Sequence, residues 1–228
     1  MNVLLINGSP RKNGATAKIL AEIEHRLTEH IQANCELVNI SELDLEFCRG
    51  CSGCYRTGAC FIPDNAENLS GKIARADIVV FGSPTYVSGI SGQMKTFVDR
   101  GHFVIEQLLT DTYTLSVVTY ENADGSSAAG ILEKLCIFSG AVHCGNITAR
   151  VSPGQNPLAV RRIEKKVAAA VKRLSRAALR RKKRNLVQAI IHSAVFNIGI
   201  KPFILKKPDA YTGVLEHWKK RGIGGVSV

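Results

Sequence analysis

The chain has no uninterrupted apolar run of the roughly 20 residues that a membrane-spanning helix needs. It also lacks the basic stretch and small-residue cleavage site of an export signal, because Met1 leads straight into Asn-Val-Leu-Leu-Ile-Asn-Gly; a cytoplasmic location is expected. Aromatic residues are few, 6% of the chain with a single Trp, so no stacking platform accompanies the basic charge and nucleic-acid binding is not expected. No Ser/His/Asp or Cys/His arrangement stands out, which argues against catalysis by a side-chain nucleophile. Acid is almost missing from one segment: residues 161–184 hold twelve Lys/Arg and only Glu164, whereas the rest carries 18 basic and 18 acidic residues. The net charge of +11 therefore belongs to that segment and not to the main fold.

What is present suffices for a folded core. Apolar residues make up 45% of the 228, which excludes whole-chain disorder and suits one domain with an appendage. Short apolar runs at Val3–Ile6, Glu36–Ile40, Ile78–Phe81, Thr114–Val118 and Val142–Thr148 read as strands. Helical periodicity runs through Ala15–Ile31, Asn68–Arg75, Gln93–Leu109, Ser126–Phe138 and a long basic stretch opened by Pro157. This last stretch repeats apolar residues at Val160, Ile163, Val167, Val171, Leu174 and Ala178. Five strands alternating with five helices predict an α/β fold with a five-stranded parallel sheet covered on both faces. The expected division is a domain over 1–156, with a cysteine-rich loop at 48–65, and a basic helix and arm over 157–228. Ligands of such sheets sit beyond the carboxyl ends of the strands, which directs attention to loops 8–16, 83–92 and 119–127.

The first loop, Gly8-Ser9-Pro10-Arg11-Lys12-Asn13-Gly14-Ala15-Thr16, runs from a strand into a helix. The free N–H groups of a helix start favour an anion; here Ser9 and Thr16 add hydroxyls, and Arg11 and Lys12 add charge. Neither the Walker A spacing nor G-x-G-x-x-G is matched. In the second loop, Pro84 and Tyr86 can wall a flat ring, and Gly89 permits close backbone approach. The third loop, Thr119–Ser126, lies where the other side of such a ring would be. Four of the seven cysteines, Cys48, Cys51, Cys54 and Cys60, fall in thirteen residues with C-x2-C-x2-C spacing. Three readings fit them: ligands of an iron–sulfur cluster, free or redox-active thiols, and a zinc site. Cys35, Cys136 and Cys144 read as small buried hydrophobes.

Together, the first loop through Lys18, the Cys48–Cys60 loop, Ser83-Pro84-Thr85-Tyr86, Lys95 and Asp99-Arg100 resemble the flavodoxin-like NAD(P)H-dependent FMN reductases. The likeness is greatest to their iron–sulfur flavoprotein branch and covers about residues 1–150. The resemblance implies a flavodoxin-like three-layer sandwich, FMN as cofactor, and NAD(P)H or a protein as electron donor. The acceptor would be a small molecule or a protein, and the assembly a homodimer or homotetramer. It implies a phosphate site of Ser9, Arg11, Asn13, Gly14 and Thr16. Position 15 is often Asn in the family, and Ala15 leaves only its backbone N–H. It implies a ring site of Pro84, Thr85, Tyr86 and Gly89, with Thr119 and Tyr120 opposite, and a 4Fe–4S cluster on Cys48, Cys51, Cys54 and Cys60. A cluster-free quinone, nitro or flavin reductase and a one-electron carrier without its own substrate are the alternatives. Residues 161–184 would form a helix able to meet a membrane surface, and Leu186–Leu205 an apolar arm, broken by polar residues and Pro202, lying on a second subunit.

Overall fold

A computed structural model describes residues 1–122 and 124–225; Ala123 of the third loop and the last three residues of the tail lie outside the described part. Five parallel strands form the sheet: β1 (Asn2–Asn7), β2 (Asn34–Asn39), β3 (Ile78–Tyr86), β5 (Tyr113–Tyr120) and β6 (Val142–Arg150). A two-residue strand, β4 (Gly89–Ile90), folds back antiparallel on the end of β3. The order is β2-β1-β3-β5-β6, so the chain reverses its direction of growth between β1 and β3. That reversal opens a crevice at the carboxyl ends of those two strands.

Helices α1 (Ala15–Ile31) and α7 (Arg161–Leu179) cover one face of the sheet. Ile19, Leu20, Ile23 and Leu27 of α1 share a buried cluster with Ile163, Val167, Val171 and Leu174 of α7. The basic helix is thus a wall of the sandwich, with its cations outward. It stops at Leu179, so Arg180–Arg184 form a connection and not the helix end that the charge run suggested. The other face is covered by α3 (Ala66–Arg75), α4 (Gly92–Arg100), α5 (Phe103–Glu106) and α6 (Gly125–Phe138), with Phe81, Phe97 and Phe103 at its centre. The single helix expected over Gln93–Leu109 is broken, because His102 takes a left-handed φ of 49° between α4 and α5.

The cysteine loop carries one short helix, α2 (Gly53–Thr57). Beyond α7, residues Leu186–Leu205 form one continuous helix, α8, where the sequence suggested a broken arm. Pro202 is accommodated by a widened, π-helical turn over Ala194–Ile200, which relieves the missing N–H and the ring's clash with the preceding turn. Among the described residues α8 is the one helix long and apolar enough to cross a membrane. The tail forms α9 (Thr212–Lys220), which buries Trp218 against Phe196 and Ile204, with the indole N–H donating to the Ile105 carbonyl at 3.0 Å.

Candidate functional site

The crevice at the strand ends is a cleft of about 610 Å³. Its walls come from the loops after β1, β3, β5 and β6. The loop after β1 is fixed by contacts that need no ligand. Gly8 N–H donates to the Gly82 carbonyl at 2.8 Å, and the Ser91 hydroxyl donates to the Gly8 carbonyl at 2.6 Å. Asn7 Oδ1 accepts from the Ser9 N–H, and Ser9 Oγ accepts from the Arg11 N–H at 3.1 Å. The turn delivers the chain into α1 through Gly14, which offers no side-chain cap, and no acid occupies the first turn. The N–H groups of Ala15, Thr16 and Ala17 therefore have no partner within the helix. Arg11 and Lys18 line the cleft beside them.

The second loop makes a tight hairpin in which Val87 and Ser88 both have positive φ, 48° and 60°. Paired left-handed residues suit the twist of a two-residue hairpin, but they are unusual at a β-branched residue. The hairpin holds Tyr86 at the cleft margin, where it is 44% exposed. The hydroxyl of Thr85, also on the cleft, is buried without any hydrogen-bond partner. In the third loop, Gly125 makes room for Tyr120: a Cβ there would lie 2.3 Å from the ring. Asp124 caps α6, accepting from the Ser127 N–H at 3.2 Å, and also accepts from the Ser127 hydroxyl at 2.7 Å; the hydroxyl bond leads the causes holding its carboxyl below the usual range.

A family model described as NADPH-dependent FMN reductase matches residues 1–156. An iron–sulfur flavoprotein of Clostridioides difficile (strain 630) is 35% identical over 228 residues, spanning 98% of this chain and 100% of its own. Another, from Archaeoglobus fulgidus, is 32% identical over 150 residues, spanning 64% of this chain and 66% of its own. The chain belongs to the NADPH-dependent FMN reductase family. It is a flavin-dependent oxidoreductase whose flavin is FMN and whose family donor is a reduced nicotinamide. Solved structures agree on the fold. An apo NADH:FMN oxidoreductase superposes with TM-score 0.60 at 17% identity, over 77% of this chain and 89% of its own. An oxidoreductase of Corynebacterium diphtheriae gives 0.61 at 19%, over 78% and 97%.

The cleft of this FMN reductase relative fits a flavin nucleotide. Its volume is in the range of cofactor sites, its uncapped helix start suits a phosphate, and Thr85, whose buried hydroxyl has no partner, is on its wall. Of the residues expected there, Arg11, Asn13, Gly14, Ala15, Pro84, Thr85, Tyr86, Thr119 and Tyr120 line it together. Ser9 and Thr16 stand behind the wall, both buried, and Thr16 Oγ1 lies 2.7 Å from Thr119 Oγ1. Gly89 is off the cleft, paired in the hairpin with Tyr86. Lys12 turns away to pair with Glu42. Sequence reasoning missed Lys18, Val87, Ser88 and the whole loop Val151–Gln155 after β6. The strand-end rule alone would have pointed to that last loop.

The cysteine loop is a different kind of place. Its two ends are tied by a buried pair: Arg100 Nη1 and Nη2 donate to Asp64 at 2.7 and 2.9 Å, and Nη1 also donates to the Glu46 carbonyl. Burial would raise the Asp64 pKa, but the Arg100 hydrogen bonds and the N–H groups of Ala66 and Glu46 outweigh it and hold it low. Between those ends Cys48 and Cys51 are exposed, and Cys54 and Cys60 half-buried. All seven cysteines are free, and among the described residues no three His, Cys, Asp or Glu side chains gather as a metal-holding group. The thiols have the right chemistry for a 4Fe–4S cluster, but this arrangement does not form its cage. His102 belongs to this region and not to the cleft: its Nδ1 meets Glu106 Oε1 at 3.1 Å beneath Tyr55. Elsewhere, burial raises Cys136 to about 12 and Cys144 to about 11, which leaves both inert.

Proposed function

We propose that FMN lies in the cleft with its phosphate on the start of α1 and its ring between the second and third loops. The observation that carries this reading is the uncapped, acid-free N-terminus of α1, with Arg11 and Lys18 on the same wall. The N–H groups of Ala15–Ala17 would bind the phosphate, with the two cations neutralising its charge. Asn13 and the Gly14 backbone would close the turn over it. Pro84 and Tyr86 would shield one ring face, Thr119 and Tyr120 the other, and the Thr85 hydroxyl would donate to a ring acceptor. Redox chemistry, with hydride taken from a nicotinamide and electrons passed onward, comes with the flavin. The side chains bind, orient and keep water off the ring. Ser9 and Thr16, set behind the wall, hold its shape. The unpaired state of all seven cysteines supports a reducing, cytoplasmic setting.

Flavin titration of the apoprotein, followed by fluorescence quenching, tests this. Arg11→Ala and Lys18→Ala should each weaken FMN about tenfold, the worth of one charge-assisted contact. Both should leave riboflavin, which lacks the phosphate, unchanged; Lys12→Ala should change neither. Equal losses for both flavins would reject the phosphate placement.

A second reading concerns the cysteine loop. Its spacing, and the name iron–sulfur flavoprotein borne by relatives in Clostridioides difficile and Archaeoglobus fulgidus, support a cluster taken up by rearrangement of Cys48, Cys51, Cys54 and Cys60. Iron and sulfide analysis of anaerobically purified protein decides it, and protein free of both after reconstitution would remove the reading.

A further inference from the structure

Helix α8 is inside out. Gln188 and His192 face its own domain, whereas Ser193 and Asn197 are exposed. Gln188 donates to the His143 carbonyl at 2.8 Å and accepts from the His143 N–H, and His192 Nε2 lies 2.7 Å from Gln107 Oε1. The same stripe continues through Phe196, packed on Trp218 with ring centroids 5.1 Å apart, and ends at the buried Ile204. Its apolar residues face outward. Leu186 and Ile198 are 75% and 77% exposed, and Val187, Ile190 and Phe203 are exposed with them. Only 11% of its most apolar stretch is buried. An apolar face of this extent on a surface helix marks a contact with something apolar.

The charges around it say what kind. Arg180, Arg181, Lys182 and Lys183 lie exposed just before α8, and Lys206 and Lys207 just after it. Lys182 and Lys183 share a groove with Arg173, Arg176, one acid, Glu133, and the start of α8, so the cations of α7 continue onto this surface. No acidic residue occurs between Glu164 and Asp209. A second copy packed symmetrically through this face would bring cations onto cations in either orientation, with no acid on α7 beyond Glu164 or on α8 to meet them. A face that is mainly apolar at its centre and dominated by cations at its ends, where Glu133, Asp111 and Asp209 are outnumbered, complements an anionic bilayer instead.

We propose that α8 docks this protein on anionic lipid, lying flat with its outer face in the headgroup–acyl boundary and the cations at both ends on lipid headgroups. The helix does not cross, because its inner stripe stays hydrogen-bonded to the domain. The cationic groove is at the amino-terminal ends of the strands, beside Val142 and His143, whereas the flavin cleft is at their carboxyl ends; docking leaves the cleft open to water. This inference is independent of where FMN sits.

Sedimentation of the full chain with vesicles tests it. Vesicles of phosphatidylglycerol and phosphatidylcholine in equal parts should pull the protein down at low salt and release it at high salt, and phosphatidylcholine alone should not bind it. Arg180→Gln, Arg181→Gln, Lys182→Gln and Lys183→Gln combined should weaken binding at least about tenfold. Val187→Ser, Ile190→Ser and Ile198→Ser combined should also weaken it about tenfold or more, from lost apolar burial. Both sets lie off the cleft, so FMN affinity should stay unchanged and report an intact fold. No sedimentation with anionic vesicles at low salt overturns the proposal. So does binding untouched by the apolar triple, which would leave a purely electrostatic contact. A dimer that the apolar triple dissociates, without vesicle binding by either form, would assign the face to a second copy and overturn it equally.

Discussion

The loop after β1 and the loop around Cys48–Cys60 are both candidates for holding a cofactor, yet they are built in different ways. The first is shaped by hydrogen bonds within the protein: Gly8 to Gly82, Ser91 to Gly8, Asn7 to Ser9, Ser9 to Arg11. The groups proposed to hold the flavin phosphate are already on one wall of the cleft. The second is clamped at its ends through Asp64 and Arg100 and held in its middle by Tyr55, stacked on Tyr211, yet its four thiols do not converge. Composition names the chemistry a loop can offer; whether that chemistry is assembled depends on what else the loop is bonded to.

The largest expected effect comes from the clamp itself. Arg100→Met would leave Asp64 buried and unpaired, with side-chain exposures now of 1% and 6% for the pair. A loss of about 3–5 kcal/mol is expected, the usual result of removing one partner of a buried ion pair. Chemical denaturation measures it, and limited proteolysis should show first cuts within 46–64. Cuts appearing first in 8–16 would break the contrast. Acid acts on the same pair. The folded Asp64 pKa is depressed below the ordinary 3.8, so its stabilisation is full above that value and is lost as pH falls through the lower folded one. Stability towards denaturant should therefore fall with each step of acid below about pH 4, and Asp64→Asn should flatten that dependence.

A smaller effect is expected in the prebuilt loop. A Cβ on Gly8 would lie 2.8 Å from Met94 Cβ and 3.1 Å from the Gly82 carbonyl, neither of which can swing aside. Gly8→Ala should cost about 1–3 kcal/mol, typical of overpacking, and weaken FMN through the displaced turn. In the cysteine loop, Gly53→Ala meets only Cys51 Sγ at 3.7 Å and should fold and bind FMN as the parent does. Equal behaviour of the two alanines, read by denaturation and flavin titration, would show that the first loop is not prebuilt.

Much of this was legible in the sequence because burial leaves periodic marks. Ile19, Leu20, Ile23 and Leu27 point one way on α1, and all are buried. The run Ile78–Phe81 revealed β3 but not its length. Gly82-Ser83-Pro84 reads as a turn, yet Gly82 stays in the strand to admit Leu20, and Pro84, which cannot donate to the ladder, sits near its end. Helix α8 was misread for a related reason. Gln188 and His192 look like interruptions of an apolar stretch until His143 and Gln107 appear as their partners. At the site, the three loops with donors were visible, whereas Val151–Gln155 carries no charge to announce it and Lys18 lies just inside α1.

The smallest expected effect sharpens the comparison most. Cys48→Ser and Cys51→Ser, together, touch two exposed thiols whose one hydrogen bond, from the Gly50 N–H to Cys48 Sγ at 3.5 Å, a serine can also accept. Stability should change by no more than about 0.5 kcal/mol, and FMN affinity should not move. If reconstitution with iron and sulfide then gives the parent protein a dithionite-bleachable absorbance that this variant lacks, the cysteine loop assembles around its ligand. The two loops would then differ in the order of events: one site is shaped before its cofactor binds, and the other only by binding it. A stability loss of several kcal/mol without any iron would instead show that the thiols are already part of a packed structure, and the contrast between the loops would be gone.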